Sequence, residues 1–332
     1  MAAILSPDRS TIDSLLPHLS DLSPTRSYCD LGMRGVPTIP RVCDMALLAI
    51  EFHSKCRFHF NASTGKLFHE LPLEERTKTI HHIEKWWAEN KSKSVSEGIR
   101  SQLPHADFYA KVWMAKRLAA LGEKADREYA VAILKSLVHE NWGHTAAHAA
   151  SALADLNDIS PVDVFYTRWK ASLDKPGKIY DSYVVFYLTD HGTRREWELL
   201  HQLAAREIEK GLDAGIARIW PALVNCSKAK TSPLAIPGLA LALTQTRLSG
   251  SRSFKGGASQ AFSYADTAVE HLQELTKRDF GYRRDASADE RNAAIEKARR
   301  WWATEGSKEY TFDYVEVLEK KRANKAIDSD KK

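Results

Sequence analysis

Residues 74–91 read EERTKTIHHIEKWWAENK, and residues 289–306 read DERNAAIEKARRWWATEG. In both stretches a Glu-Arg pair opens a charged helical pattern that ends in two adjacent tryptophans. These identities fall at one constant offset, and a repeated Trp-Trp pair after the same lead is not expected by chance. We infer a duplicated helical segment. The tryptophans are Trp86 and Trp87 in the first copy and Trp301 and Trp302 in the second.

The duplication extends to the preceding helix. Residues 41–60 (RVCDMALLAIEFHSKCRFHF) align with 263–282 (SYADTAVEHLQELTKRDFGY), and Asp44 matches Asp266. A carboxylate close to a helix start accepts backbone N–H groups and interacts favourably with the helix dipole, so a structural role is favoured for both aspartates. A catalytic role would require a second titratable group that recurs in both copies, and none does.

Helical periodicity covers most of the chain and predicts an all-α fold. The run Tyr183–Tyr187 is the one candidate strand, but its helical flanks favour a buried helix. Ser160-Pro161 and Ser232-Pro233 are typical helix starts, with a capping hydroxyl before a proline. Helices are predicted near residues 43–56, 73–90, 106–121, 126–139, 144–156, 162–172, 179–188, 194–209, 214–225, 261–276, 288–304 and 310–322.

Two further segments have the pattern of helical hairpins. Residues 129–158 contain two helices joined by a tight turn and closed by Leu-Asn-Asp, and residues 233–276 are similar. These features resemble bacterial HEAT-like repeat proteins, in weaker form over most of residues 40–305. The resemblance implies an α-solenoid of stacked hairpins with an extended concave surface. The expected organisation is an N-terminal helix and loop (1–40), the solenoid (41–305), and a C-terminal helix with a charged tail (306–332).

Composition excludes several classes of protein. The chain has 332 residues, 43% of them hydrophobic, and a net charge of +5. It has no apolar run long enough for a transmembrane helix and no secretory signal pattern, so we expect a cytoplasmic protein without membrane association. Its four cysteines form no CxxC pair and predict buried thiols rather than disulfides. The slight basic excess does not by itself indicate nucleic-acid binding.

The only spacing typical of a metal site is His144 and His148, four residues apart on one helix face. The sequence HTAAH lacks the glutamate of HExxH, and a third ligand would have to be His139 or Asp155. A polar flank beside an alanine-rich packing face is favoured. We predict no bound metal and no cofactor.

The tryptophan pairs have two interpretations. Exposed indoles could stack a base or a sugar, but large aromatic side chains chiefly stabilise cores. Adjacent helical residues diverge by about 100°, so at most one ring of each pair faces a given neighbour squarely. A core role is favoured.

Two loops rich in glycine or proline precede the duplicated aspartate helices, at residues 27–42 and 247–262. Neither contains a phosphate-binding GxxxxGK[ST] motif. A flexible spacer is the first interpretation, and contact with an anion or a partner is the alternative. The basic residues that would make such contacts are Arg34 and Arg41 in the first loop and Arg247, Arg252 and Lys255 in the second.

No motif for nucleophilic catalysis occurs. The sequence and the resemblance together predict a protein-interaction scaffold or adaptor that binds a protein partner on the solenoid surface. A nucleic-acid-binding solenoid, similar to HEAT-like DNA glycosylases, is the alternative. A metal-dependent hydrolase built on His144 and His148 is a third candidate.

Overall fold

The structure is a computed structural model. It describes residues 9–25, 39–59, 66–171, 182–209, 223–245, 248–253 and 259–329. The chain folds as two compact units. Unit 1 is Met1–Asn141 with His148–Asn157, and unit 2 is Trp142–Ala147 with Asp158–Lys332. The boundaries expected at residues 40 and 305 stay a prediction.

Unit 1 is mainly helical in its described part. Helix α7, His144–Asp155, contributes residues to both units. The other α-helices of unit 1 are α1 Thr11–Leu15, α2 Val42–Ser54, α3 Leu73–Asn90, α4 Val95–Gln102, α5 Phe108–Ala120 and α6 Lys124–Glu140. Its 3-10 turns are Leu16–Ser20, Phe68–Glu70 and Leu103–His105.

Unit 2 is also mainly helical, and its last long helices are joined by irregular turns. Helix α13 continues into a π-helical turn, Trp302–Gly306, and a short helical turn, Ser307–Glu309. The α-helices are α8 Pro161–Lys170, α9 Ser182–His191, α10 Arg194–Glu209, α11 Ile236–Ala242, α12 Tyr264–Thr276, α13 Ala288–Trp301 and α14 Phe312–Ser329. The 3-10 turns are Ser227–Lys230 and Pro233–Ala235.

The all-α prediction is correct at the level of a mostly helical chain. Tyr183–Tyr187 lies inside α9, as expected. The predicted helix at 214–225 falls largely outside the described residues. Helix α1 lies in the segment predicted as an N-terminal helix and loop, whereas the short helix α4 was not predicted. The stacking of hairpins into a solenoid stays a prediction. Among the described helices, none combines the length and apolar character required to cross a membrane.

The loop predicted as a spacer at 247–262 instead contains a β-hairpin. Strand β1, Leu248–Ser253, pairs antiparallel with β2, Ser259–Ser263, and the ladder has an irregularity between Leu248 and Gly250. A short polar hairpin has little hydrophobic alternation, and periodicity therefore does not reveal it.

The two predicted serine caps behave differently. Ser232 accepts a hydrogen bond from the Leu234 N–H at 3.3 Å, as expected of a cap. Ser160 has a helical backbone conformation and forms no side-chain cap. Its own N–H instead donates to Asp158 Oδ1 at 2.9 Å, because the preceding aspartate forms the local turn.

The two copies of the inferred duplication share their local geometry. In each copy the first helix ends at a lysine in the left-handed conformation, with φ of 58° at Lys55 and 59° at Lys277. The Phe58 and Trp86 rings are 5.1 Å apart, and the matching Phe280 and Trp301 rings are 5.2 Å apart. Both segments are therefore a helix, a left-handed turn and a second helix held by a phenylalanine–tryptophan contact.

All four paired tryptophans lie against their own unit. Trp86 and Trp87 are each 4% exposed, and Trp301 is 7% exposed, whereas Trp302 is half-buried. Within each pair the adjacent rings also touch, at 6.2 Å and 5.8 Å between centroids. Rings with so little free surface contribute to the cores of their units.

Candidate functional site

A small pocket in unit 1 lies between α2 and the chain that follows it. Its volume is about 50 Å³, which is enough for a few water molecules. Four apolar side chains form much of its wall, and charged groups form the rest. The lining residues are Asp44, Leu47, Leu48, Glu51, Arg57, His59, Leu67 and Phe68.

Asp44 is buried at the third position of α2, and both its carboxylate oxygens accept hydrogen bonds. The Arg41 N–H donates to Oδ2 at 2.7 Å, which caps the helix start. The His69 N–H donates to Oδ1 at 3.0 Å, and the His69 ring Nδ1 is 2.7 Å from Oδ2. Asp44 therefore joins the start of α2 to the turn Phe68–Glu70.

Glu51 lies two helical turns further along α2 and is also buried. Its Oε1 accepts the N–H groups of Phe58 at 2.8 Å and His59 at 3.0 Å, and Arg57 donates to Oε2 at 2.6 Å. Burial raises the pKa of this carboxyl, and the Arg57 charge and the backbone donors oppose that rise. Because the oxygens of both acids are already occupied, the pocket carboxylates hold the chain in place rather than offering a free base.

In the second copy, the residues that match Asp44 and Glu51 also hold the start of the first helix and the chain that follows it. Asp266 Oδ2 accepts the N–H and the hydroxyl of Ser263, at 2.8 Å and 2.7 Å. Gln273, which matches Glu51, accepts the N–H groups of Phe280 and Tyr282 through Oε1, both at 2.9 Å. An amide thus replaces the acid, which indicates that this position serves the turn and not acid–base chemistry.

Asp266 and Asp44 have different side-chain partners. Arg291 Nε donates to Asp266 Oδ1 at 3.0 Å, and both side chains are buried. The Tyr282 hydroxyl donates to the same oxygen at 3.2 Å. Arg76, the match of Arg291, has a buried Nε without a hydrogen-bond partner in the described part of the chain, and His69 lies against Asp44 instead. This exchange of partners was not predicted.

Of the five basic loop residues, only Arg41 has its side chain in the described part of the structure. Arg34, Arg247 and Lys255 lie outside the described residues, and so does the side chain of Arg252, whose backbone pairs with Gln260. Arg41 is placed at the start of α2. Partner contact by these residues stays a prediction.

The two histidines with metal-like spacing contact separate aromatic rings. His144 lies 4.1 Å from the ring of Tyr183, and His148 lies 5.6 Å from the ring of Tyr109. No group of three or more His, Cys, Asp or Glu side chains in the described part of the chain could hold a metal ion. The hydrolase alternative stays a prediction.

Two histidines, His53 and His271, are buried on the first helices of the two copies. Neither ring nitrogen of either residue has a hydrogen-bond partner among the described residues. Burial, and then the Lys230 and Arg284 charges, lower the pKa of His271 to about 4, against an opposing effect of Glu270. Sequence periodicity places these residues on helices but does not reveal that they are enclosed.

His271 makes the stability of the protein pH-dependent. Its lowered pKa means that the unfolded chain binds the proton more readily, so its stabilising contribution is present above about pH 6.5 and is lost as pH falls toward 4. We expect this residue alone to lower the free energy of unfolding by about 2 kcal/mol between pH 7.5 and pH 5. Urea unfolding at both pH values measures it.

His271→Leu is expected to remove that portion of the pH dependence, whereas the control His81→Leu at an exposed position retains the wild-type profile. Equal pH profiles for wild type and His271→Leu would show that His271 is not the titrating group.

A surface in unit 2 combines exposed aromatic rings with a cation, and we name it the Trp142 surface: Trp142, His144, Arg168 and Tyr183. Trp142 is 45% exposed and Tyr183 is 53% exposed. The Arg168 guanidinium lies over the Trp142 ring, 5.4 Å from its centroid. The Tyr183 ring contacts the ring of His144, which follows Trp142 by two residues. Sequence patterns do not reveal this surface, because Trp142 lies in a short turn outside any periodic pattern.

Comparisons with known proteins give no relative. No protein-family model matches the chain. Searches of curated proteins and of solved structures return no significant similarity.

Proposed function

We propose that this chain is a protein-interaction module that binds a protein partner through the Trp142 surface. The observation that supports this proposal is the exposure of Trp142 and Tyr183 beside Arg168. Tryptophan, tyrosine and arginine are the residues that most often dominate binding energy at protein interfaces. Their rigid rings bury a large area at a small cost in conformational entropy.

The charges around this surface have both signs, which favours a protein over a nucleic acid as the partner. Arg168 and Lys170 lie in the last turn of α8, and Asp163 lies in its first turn. Asp163 also pairs with Arg195 at 2.6 Å. A nucleic-acid site would require a cluster of one sign.

The proposal includes the HEAT-like scaffold and a cytoplasmic location. Consecutive packed helices in each unit support a scaffold built from helical hairpins. The described cysteines, Cys43, Cys56 and Cys226, are free and buried, which suits a reducing compartment.

The test begins with affinity capture by the full chain from its native host, followed by measurement of the purified partner's affinity. Trp142→Ala and Tyr183→Ala are each expected to weaken binding at least about tenfold. Both variants should unfold within about 0.5 kcal/mol of wild type, because both rings are exposed.

Tyr314→Ala is the matched control, because Tyr314 is an exposed tyrosine of the same unit on α14. Its affinity should equal that of wild type. Unchanged affinity in both the Trp142 and Tyr183 variants would refute the Trp142 surface as the binding site. Capture of duplex DNA alone, with affinity that falls steeply in salt, would favour the nucleic-acid alternative.

A further inference from the structure

Three cations converge with two aromatic rings in unit 1, where α2 ends and α5 passes. The Arg117 guanidinium lies 4.0 Å from the centroid of the Trp113 ring, and that of Arg57 lies 4.7 Å from it. The Lys55 ammonium lies 4.0 Å from the centroid of the Phe52 ring. We name this group the cation cluster: Lys55, Arg57 and Arg117. It is distinct from the Trp142 surface.

The cation cluster is only partly neutralised. Glu51 pairs with Arg57 at 2.6 Å. Neither Lys55 nor Arg117 has an ion-pair partner among the residues that the structure describes. Three positive groups and one carboxylate leave an excess of two positive charges at this place.

The cations also act on one another electrostatically. Burial, and then the Arg117 charge, lower the pKa of Lys55. Burial, and then the Arg57 charge, lower the pKa of Arg117. An anion bound among these groups would stabilise the protonated form of each of them.

We propose that the cation cluster binds a phosphate monoester dianion carried by a protein partner, as on a phosphorylated serine or threonine. Such a group carries a charge of about −1.5 to −2 at pH 7, which matches the excess of the cluster. Guanidinium groups bind phosphate oxygens through paired, charge-assisted hydrogen bonds. The ammonium of Lys55 supplies a compact third charge.

The aromatic rings favour this ligand over a nucleic acid. A single-stranded nucleic acid binds by stacking its bases on exposed rings. Here both guanidinium groups lie over Trp113, and Lys55 lies over Phe52, so the cations occupy the surfaces that bases would need. The rings hold the cations in position instead.

The second copy supplies an internal contrast. Lys277 has the same left-handed conformation as Lys55. Asp279, however, stands in the place of Arg57. The sequence therefore replaces one cation of the cluster by an acid in that copy, and we expect no phosphate binding there.

The experiment titrates the full-length protein with N-acetyl-O-phosphoserine amide, followed by phosphorus NMR and calorimetry, with unphosphorylated N-acetylserine amide as the reference. We expect saturable binding of the phosphorylated probe only. Arg117→Gln and Lys55→Gln are each expected to weaken it about tenfold or more. Lys277→Gln is the matched control and should bind like wild type.

Circular dichroism and urea unfolding establish that each variant is folded, and Lys55→Arg provides a variant that keeps the charge and should retain binding. Absence of saturable binding, or equal binding by wild type, Arg117→Gln and Lys55→Gln, would overturn the proposal. So would a single-stranded oligonucleotide that binds more tightly than the phosphoserine probe and is lost in Arg117→Gln. None of these results depends on Trp142, so failure here is distinguishable from failure of the proposed function.

Discussion

Replacement of Trp86 by alanine is expected to lower the free energy of unfolding by about 3–5 kcal/mol. The indole is 4% exposed, and its Nε1 donates to the Gly98 carbonyl at 3.2 Å and to the Ser101 hydroxyl at 3.0 Å. It also covers Gly98 closely, because a Cβ at that residue would lie 3.1 Å from Trp86 Cζ2. Alanine would leave a cavity and remove the indole donor together. Urea unfolding followed by far-UV circular dichroism measures the loss.

Trp142→Ala is the control for this substitution, because Trp142 is 45% exposed. It should change the unfolding free energy by no more than about 0.5 kcal/mol. A loss below about 1 kcal/mol for Trp86→Ala would refute the core role of this ring. A binding platform would show the opposite pattern, with affinity lost and stability retained.

Arg291→Met is expected to destabilise the protein by about 3–5 kcal/mol, because it leaves the buried carboxylate of Asp266 without its cation. Arg291 Nε is 3.0 Å from that carboxylate, and Arg291 Nη1 also donates to the Ala286 carbonyl at 3.0 Å. Methionine retains much of the side-chain length but none of the charge. The same unfolding measurement applies.

Arg76→Met is the matched control, since Arg76 occupies the equivalent position in the first copy. Among the described residues the side chain that faces Asp44 is His69, and Arg76 forms no ion pair with Asp44. Its cost should be below about 1 kcal/mol. The double variant Asp266→Asn with Arg291→Met should cost less than the sum of its single substitutions, because both charges are then removed. Equal losses for Arg291→Met and Arg76→Met would contradict a stabilising role for the ion pair.

Sequence patterns predicted most of the helices, because burial of one face fixes helical periodicity over many residues. Val42–Ser54 and Tyr264–Thr276 match the helices expected from the Asp44 and Asp266 alignments. The β-hairpin was missed because its strands are short and polar. Predicted residues in the loops, such as Arg34 and Lys255, lie outside the described residues, so their role stays a prediction.

The candidate surfaces could not be predicted from pattern, because they depend on tertiary neighbours. Arg57 and Arg117 are distant in sequence, and only the fold brings both over Trp113. Glu51 and Gln273 occupy matching positions in the alignment, but a search for identical residues does not single them out. They accept backbone N–H groups with different residue types.

The pairing of Glu51 with Gln273 has a consequence for the order in which mutations can accumulate. Substitution of Glu51 by glutamine keeps a side-chain oxygen that accepts the Phe58 N–H. Arg57 is partly exposed to water, so the loss of its carboxylate partner is tolerated in a single substitution. The reverse exchange at Gln273 would add a carboxylate while Asp279 occupies the place of the arginine. Gln273→Glu would be tolerated only after residue 279 had become basic. Substitution of glutamate by glutamine is therefore tolerated more readily at this position than the reverse substitution.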